Sequence, residues 1–196
     1  MATRRRLTPD ARRAELVEIG ARHFAQRPYD EVRLDAVADE AGVSRALLYR
    51  YFPGKRALFA SVYAEAAASL LSETTLDDPS RSMLEQLVAG LDAHIDYFVA
   101  NRNTVLAANR ALAGDPTIQT IISDEMAELR DRLLHASGLR GSARTTVSPV
   151  LMSWLVFVRV LCVEWLERPA FSRTVLRDMC AGALVGALGP VLSLDE

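Results

Sequence analysis

The chain has 196 residues, half of them hydrophobic and 24% charged, and a formal net charge of −2. This length and hydrophobic content suffice to bury one or two cores, which excludes a chain that is disordered beyond its ends. The charge is uneven, since residues 1–60 carry 12 basic and 8 acidic residues and residues 61–196 carry 11 and 17. A basic front segment on an acidic body suits a nucleic-acid-binding unit joined to a unit of another kind.

The sequence indicates a cytoplasmic protein with no membrane partner. The basic N-terminus is not followed by the apolar segment that a secretory signal needs. The most apolar stretch, residues 152–166, contains Arg159 and Glu164 and is too short to span a bilayer. Cys162 and Cys180 do not have the spacing of metal ligands, so we expect reduced thiols and no metal site.

The chain begins with a basic arm, residues 1–8, which contains three consecutive arginines at positions 4–6. Such an arm is either a solvated tail or a segment that follows DNA phosphates into a minor groove. The Thr8-Pro9 pair is typical of a helix start, and the first helix is expected to run to about Gln26. His23 lies on the apolar face of this helix, which favours a packed core histidine over a ligand.

Residues 33–58, RLDAVADEAGVSRALLYRYFPGKRAL, predict two short helices around a tight turn. The first has an apolar face at helical spacing, formed by Leu34, Val37, Ala38 and Ala41. Gly42 can adopt the left-handed conformation that ends a helix, and Ser44 stands at the N-cap of the second helix. That helix ends near Phe52, because the residue before Pro53 is disfavoured in helical dihedrals. The pattern is that of a helix-turn-helix.

The second helix of this pair has an apolar side and a polar side. Leu48 and Phe52 share the apolar side. The polar side carries Arg45, Ala46, Tyr49 and Arg50. An arginine can donate two hydrogen bonds to a guanine edge, and a small residue lets the helix lie close to the bases.

Two further residue types support this interpretation. Tyr49 and Tyr51 can contact phosphate or sugar through their hydroxyls. Lys55 begins the next helix, where its ammonium and the free N–H groups of that helix could hold one phosphate. The alternative is an ordinary solvated helix face. The joint occurrence of turn glycine, cap, arginines, tyrosines and lysine favours DNA binding.

The rest of the chain is predicted to be helical. A long helix from Lys55 to about Thr74 links the front segment to the remainder, and residues 77–79 form a linker. Further helices are predicted at residues 81–102, 105–113, 117–137, 145–167 and 172–192, with a loop at residues 140–146. No stretch alternates between apolar and polar residues as a strand does, so the fold class is all-α.

The last two predicted helices have more apolar surface than one chain can bury. The first of them is apolar nearly all round, which requires burial on more than one side. The second contains Gly182, Gly186 and Gly189, which permit close approach of a neighbouring backbone. We expect a homodimer through these last two helices, as a four-helix bundle; the alternative is a thick monomeric core.

The chain resembles the TetR family of bacterial transcriptional regulators. The resemblance is specific over about residues 11–60, where AGVSRALLYRYFPGKRALF matches the family's helix-turn-helix and the lysine that follows it. It implies a homodimer whose recognition helices enter successive major grooves of a near-palindromic double-stranded DNA operator. The residues that match the family's base and phosphate contacts are Ser44, Arg45, Ala46, Leu47, Tyr49, Arg50, Tyr51 and Lys55.

Arg33 departs from the family pattern. It stands where the family has a serine or threonine that caps the second helix, and an arginine side chain cannot accept that hydrogen bond. The cap is therefore lost or moved to Asp35, which leaves Arg33 to pair with a phosphate.

The resemblance also implies two domains. Residues 1–54, the head, form a three-helix DNA-binding domain with the basic arm, and residues 55–196, the body, form a helical ligand-binding and dimerisation domain. In the family, a small molecule in the body repositions the linking helices and releases the operator, so we expect a repressor with an unidentified hydrophobic or aromatic effector. The candidate pocket residues are His94, Tyr97, Phe98, Asn101, Asn109, Trp154 and Phe157.

Three other functions are alternatives to this one. A protein-interaction scaffold with a degenerate head is disfavoured by the intact set of arginines, tyrosines and lysine in the helix-turn-helix. A ligand-independent dimeric DNA-binding protein would have no closed cavity in its body. An enzyme is disfavoured, because the three histidines share no ligand spacing and the sequence lacks a nucleophile elbow and a glycine-rich phosphate loop. We therefore expect no catalytic residue and no cofactor.

Overall fold

The computed structural model describes residues 7–73 and 80–192, and all regular secondary structure in these ranges is helical. The helices are α1 (Pro9–Gln26), α2 (Leu34–Glu40), α3 (Arg45–Tyr51), α4 (Lys55–Glu73), α5 (Met83–Ala100), α6 (Arg102–Leu106), α7 (Pro116–Ala136), α8 (Gly141–Glu167) and α9 (Arg173–Leu192). A 3-10 turn, Tyr29–Glu31, precedes α2, and a π-helical segment, Ala107–Ala111, continues α6. The all-α class is confirmed. The three arginines of the basic arm and the linker at residues 77–79 lie outside the described residues.

Most helix boundaries follow the sequence prediction closely, but the helix predicted at residues 105–113 begins at Arg102, and α8 begins before its predicted start. At α1, the Thr8 hydroxyl accepts a hydrogen bond from the Ala11 N–H at 3.2 Å, as a cap does. The loop predicted at residues 140–146 was wrong, because α8 begins at Gly141. Glycine and serine weaken a helix interior, but here they occupy the first turn.

Helix α8 has 27 residues, and by length and composition alone it is long and apolar enough to cross a membrane. The apolar stretch at residues 152–166, which was expected to be too short to span a bilayer, is only part of this helix. The helix as a whole is longer than that expectation assumed. In the structure α8 packs against α7 and α9, and its buried residues belong to the core of the body.

One hydrophobic core joins the head to part of the body. In the head it contains Leu16, Phe24, Leu48 and Phe52, and it continues through Leu58 and Phe59 at the start of α4. It also includes body residues beyond α6, namely Ala107, Ala108, Leu112, Ile118 and Ile122. Because this core crosses the predicted domain boundary at residues 54/55, that boundary stays a prediction.

One polar contact joins the head to the body, and a second holds the first turn of α4, next to the head, to the start of α7. The Asn103 side chain donates a hydrogen bond to the Ala25 carbonyl at 2.9 Å. The Nε atom of Arg56 lies 3.0 Å from Oδ2 of Asp115, whose other carboxylate oxygen caps α7. The position of the head on the body is therefore set by apolar packing and by hydrogen bonding as well as by its covalent connection to α4.

A second core fills the body. It is built from α5, α8 and α9, with contributions from α6 and α7. Trp154 of α8 packs in it and donates its indole N–H to the Cys180 carbonyl of α9 at 2.8 Å. Cys162 and Cys180 are both buried and free.

Candidate DNA-binding surface and body cavity

The turn between α2 and α3 has the geometry that its residues predict. Gly42 takes a positive φ of 59°, which L-residues with a side chain rarely adopt. The Ser44 hydroxyl accepts a hydrogen bond from the Leu47 N–H at 3.2 Å and caps α3. With Leu48 and Phe52 buried beneath it, α3 has a fixed orientation.

The outward side of α3 carries the residues expected to contact DNA. Ser44, Arg45, Ala46, Tyr49 and Arg50 are exposed, whereas Leu47 and Tyr51 are half-buried. The Arg45 guanidinium lies 5.4 Å from the centre of the Tyr49 ring, and that of Arg50 lies 5.8 Å from the Tyr51 ring. Such cation–π contacts reduce the freedom of long side chains. The surface therefore presents charged donors in partly fixed positions.

Asp35 of α2 lies among these cations. Its Oδ1 atom is 3.0 Å from Arg45 Nε, and its Oδ2 atom is 3.8 Å from Arg33 Nη2. The side-chain hydrogen bond with Tyr49, followed by the charge of Asp35, raises the pKa of Arg45. Arg33 makes no side-chain cap on α2, as its residue type requires.

Lys55 has partners inside the protein. Its ammonium donates hydrogen bonds to the carbonyls of Tyr29 and Asp30 at 2.8 and 3.1 Å, and it lies 4.6 Å from the centre of the Tyr29 ring. Because an ammonium has three N–H groups, one is left for a phosphate. Lys55 thus fixes the start of α4 to the 3-10 turn as well as facing the surface. A shallow groove of about 270 Å³ brings it together with Val32, Arg33, Leu34, Asp35, Arg45 and Tyr49.

His23 has a polar partner that the apolar periodicity of α1 did not indicate. It is 9% exposed, and its Nε2 atom lies 2.8 Å from Oε2 of Glu40 at the end of α2. Glu40 also pairs with Arg22 at 2.8 Å. The Arg22 hydrogen bond, followed by that of His23, lowers the pKa of Glu40. These contacts tie α1 to the end of α2.

The body contains a cavity of about 70 Å³ between α4, α5, α7 and α8. Its walls are mostly aliphatic, with three polar residues among them. The lining residues are Leu70, Leu87, Gly90, Leu91, His94, Glu125, Met126, Leu129, Leu133, Trp154, Leu155, Val158 and Arg159. A cavity of this composition suits a small apolar molecule with a polar group.

Arg159 joins four segments of the body at this cavity. Its Nε donates to Asn109 Oδ1 at 3.1 Å, its Nη1 donates to Glu125 Oε2 at 3.4 Å, and its Nη2 donates to the Tyr63 hydroxyl. Arg159 and Glu125 are only 7% and 5% exposed. Burial raises the pKa of Glu125 and raises that of Tyr63 to about 12, and the charge of Arg159 opposes both changes.

His94 is the third polar residue of the cavity. Its ring lies 4.2 Å, centre to centre, from that of Phe98. Its Nε2 atom is buried and has no hydrogen-bond partner among the described residues. Burial, followed by the charge of Arg159, lowers the pKa of His94 to about 3, so the ring is uncharged near neutral pH.

The outer faces of α8 and α9 are apolar and exposed. Six large side chains on them are at least 40% exposed: Val156, Phe157, Val160, Val175, Met179 and Val185. A hollow of about 430 Å³ between the two helices is lined by Pro149, Val150, Ser153, Trp154, Phe157, Ala183 and Ala187. Contiguous apolar surface of this kind marks an interaction site in soluble proteins.

Comparison with known proteins agrees with this geometry. Residues 16–62, which include α2, α3 and the turn between them, match the model of the family described as bacterial regulatory proteins, tetR family. Residues 16–62 thus carry the DNA-binding segment of the TetR family. A solved structure of a TetR-family regulator from Streptomyces coelicolor superposes with a TM-score of 0.81 at 20% identity, covering 96% of this chain and 85% of that one. At this identity the likeness shows the fold alone.

Two further proteins are similar to this chain. The HTH-type transcriptional activator FasR of Mycolicibacterium smegmatis is 33% identical over 98 residues, which are 47% of this chain and 42% of FasR. The chain thus spans less than half the length of this curated relative. The regulator FadR of Bacillus subtilis, solved in complex with stearoyl-CoA, has a TM-score of 0.65 at 14% identity and covers 89% of this chain and 98% of that one.

The cavity of the body contains two of the seven predicted pocket residues, His94 and Trp154. Phe98 packs against His94, and Asn109 accepts a hydrogen bond from Arg159, so both contact cavity residues without lining the cavity themselves. The structure places the other three away from the cavity lining. Tyr97 and Asn101 bond to each other at the end of α5, where the Asn101 side chain donates to the Tyr97 carbonyl. Phe157 lies on the outer face of α8 and is 40% exposed.

Sequence reasoning missed Glu125 and Arg159 as cavity residues, and it missed Tyr63 as a partner of Arg159. One signal was available, since Arg159 interrupts an apolar helix and a buried arginine requires an acidic or polar partner. The described residues include no group of three His, Cys, Asp or Glu side chains that could hold a metal ion.

Proposed function

We propose that this protein is a sequence-specific DNA-binding transcriptional regulator that works as a cytoplasmic homodimer. The observation that carries the proposal is the exposed arginine and tyrosine face of α3, held by the Ser44 cap and by the buried Leu48 and Phe52. A helix held in this way can enter a major groove and present Arg45 and Tyr49 to base edges and phosphates. No catalytic activity or cofactor forms part of the proposal.

A homodimer follows from the outer faces of α8 and α9. Exposed valines such as Val160 and Val185 would be buried against the same faces of a second copy. Two heads related by a two-fold axis would read two half-sites, so the operator is expected to be near-palindromic double-stranded DNA.

The cavity is proposed to bind an effector that releases the operator. Helix α4 supplies Leu70 to the cavity lining and the Tyr63 hydroxyl to Arg159, and the same helix begins at Lys55 on the DNA side. A ligand that binds more tightly to another position of α4 would shift the population away from the spacing that fits DNA. FadR, which has this fold, was solved with stearoyl-CoA, so the fold is compatible with a bound effector.

Release by a ligand favours a repressor, because the ligand-free protein would then occupy its operator. FasR is named an activator, so a TetR-type relative can also act in the opposite direction. The alternative is a dimeric DNA-binding protein without an effector. Transcription from an operator-bearing promoter, measured with and without the protein, distinguishes repression from activation.

Binding-site selection with the purified protein tests the proposal. A random DNA pool should yield a two-fold symmetric consensus, which Arg45→Ala and Tyr49→Ala variants bind about 5- to 100-fold more weakly. Arg140→Ala, at an exposed arginine before α8, is the matched control and should bind normally. Helical content and dimerisation should be unchanged in all three. No enriched sequence, or unchanged affinity of both head variants, would contradict the assignment.

A further inference from the structure

The charged residues that line the cavity limit which net charge a ligand can carry. Arg159 and Glu125, the two charged residues of the lining, are paired with each other. The Arg159 guanidinium also has Asn109 and Tyr63 as partners, so its donors are largely committed inside the protein. A site with opposite charges already paired gains little from a ligand charge and must desolvate it.

An anionic ligand meets a specific obstacle here. A carboxylate bound at Arg159 would have to share the guanidinium with Glu125, which is 5% exposed and has no other hydrogen-bond donor among the described residues. Displacing Glu125 from Arg159 would leave a buried carboxylate without its partner, which is unfavourable.

A cationic ligand meets the opposite obstacle. The positive charge of Arg159 and burial together disfavour a proton on His94, which lines the same cavity. The same two effects would disfavour an ammonium group placed beside His94.

The unpaired atom at the cavity is His94 Nε2. A buried polar atom without a partner is unfavourable, and a ligand group that bonds to it gains that interaction. A neutral imidazole donates from one nitrogen and accepts at the other, so a hydroxyl suits either tautomer. The Phe98 ring packed against His94 limits its rotation.

Volume limits the size of the ligand. At roughly 10–15 Å³ for each water-sized group, a cavity of about 70 Å³ holds about six non-hydrogen atoms. The aliphatic walls would surround a small ring or a short alkyl chain.

We infer that the effector is an uncharged small molecule, an alicyclic, aromatic or short-chain alcohol, whose hydroxyl bonds to His94 while its hydrocarbon part fills the leucine-lined space. This inference rests on the proposed function, of which it specifies the ligand class. It assigns His94 as the residue that distinguishes an alcohol from a hydrocarbon of the same shape.

Thermal stabilisation of the full-length protein by matched probes tests this assignment, since a ligand of the native state raises Tm with its concentration. The probes are cyclopentanol, methylcyclopentane, cyclopentylamine and cyclopropanecarboxylate, together with the open-chain series 1-pentanol, hexane, pentylamine and butanoate. All of them match the cavity limit of about six non-hydrogen atoms. In at least one series the alcohol should bind about fivefold more tightly than the hydrocarbon, as one net hydrogen bond allows. The ammonium and carboxylate probes should bind at least as weakly as the hydrocarbon. Tighter binding of a charged probe, or no stabilisation by any alcohol, overturns the inference.

Variants at His94 make the test specific. His94→Leu should abolish the preference for the alcohol over the hydrocarbon, whereas His94→Gln, which can still hydrogen-bond, should retain part of it. His135→Leu, at an exposed histidine of α7, is the control and should keep the full preference. An unchanged preference in His94→Leu overturns the assignment.

Operator binding measured on the same preparations separates the two proposals. If the wild-type protein binds its operator but shows no preference for the alcohol, only the ligand class is rejected. If selection yields no operator, the proposed function as a DNA-binding regulator is rejected. The affinities of the probes for the cavity can still be measured and compared in that case.

Discussion

The Nε atom of Arg45, the first residue of α3, lies 3.0 Å from Oδ1 of Asp35 on α2. A carboxylate therefore orients an arginine that is proposed to read bases, and it also places a negative charge on a surface proposed to face phosphates. These two effects of Asp35 oppose each other in binding free energy, because orientation favours the correct sequence while the charge disfavours all DNA.

Replacing Asp35 by asparagine should separate them. One unit charge near a phosphate is worth about 1 kcal/mol in water, so the affinity for random DNA should rise about fivefold. The ratio of operator to random affinity should fall, because Arg45 is no longer held in position. Fluorescence anisotropy with labelled operator and random duplexes measures both affinities. Glu65→Gln, which neutralises an exposed carboxylate in the middle of α4, is the control and should change neither.

Lys55 is the only lysine of the chain, and its ammonium is shared between the protein and the proposed phosphate contact. Lys55→Gln should weaken binding to operator and random DNA equally and reduce the slope of log affinity against log salt by about one. Loss of the hydrogen bonds to Tyr29 and Asp30 should also lower the free energy of unfolding by about 1–2 kcal/mol. Salt titrations and urea unfolding measure these effects. Lys55→Arg should keep the salt slope; a slope unchanged in Lys55→Gln would exclude the phosphate contact.

The proposed dimer interface predicts the effect of a single charge on α8. Val160→Glu places a carboxylate on a side chain that is 55% exposed in the single chain and would be buried in the proposed dimer. The variant should sediment as a monomer with unchanged helical content, and its operator affinity should drop because one head reads only one half-site. Val99→Glu, at a comparably exposed valine of α5, should remain dimeric. If Val160→Glu remained a dimer, the dimer interface would not lie on this face of α8.

Acid should destabilise the protein through His94. The unfolded chain protonates this histidine near its ordinary pKa of about 6.5, whereas the folded protein holds it uncharged down to about 3. The unfolded state therefore binds the extra proton in this window, and the free energy of unfolding falls as the pH drops through it. Between pH 6.5 and 5 the loss should be about 2 kcal/mol larger in the wild type than in His94→Gln. Urea unfolding at a series of pH values measures it. If the free energy of unfolding changed with pH equally in the wild type and in His94→Gln, the folded protein would protonate His94 as readily as the unfolded chain does.

The head was largely predictable from sequence because its signals are local. A turn glycine, a serine cap and the proline after Phe52 act within a few residues, and all three set the boundaries of α2 and α3 as expected. The partner of His23 was not predictable in this way, since Glu40 lies on another helix and only the packing of α1 on α2 brings the two together.

The cavity was predicted poorly for the same physical reason. Periodicity shows which face of a helix is apolar, but it does not show which residues of α7 and α8 meet across that face. Arg159 and Glu125 are 34 residues apart in sequence, and their pairing depends on the crossing of those helices. Phe157 was selected as an aromatic residue of α8, yet it points to the outside of the body.

The core that joins Phe24 and Phe59 to Ala108 and Ile118 has a consequence for engineering. Exchanging the DNA-binding head of one regulator for that of another requires a cut between head and body. A cut after residue 54 would separate this core into two incomplete halves, each with exposed apolar surface. A transplantable module would have to carry residues 107–122 or redesign their contact with the new head.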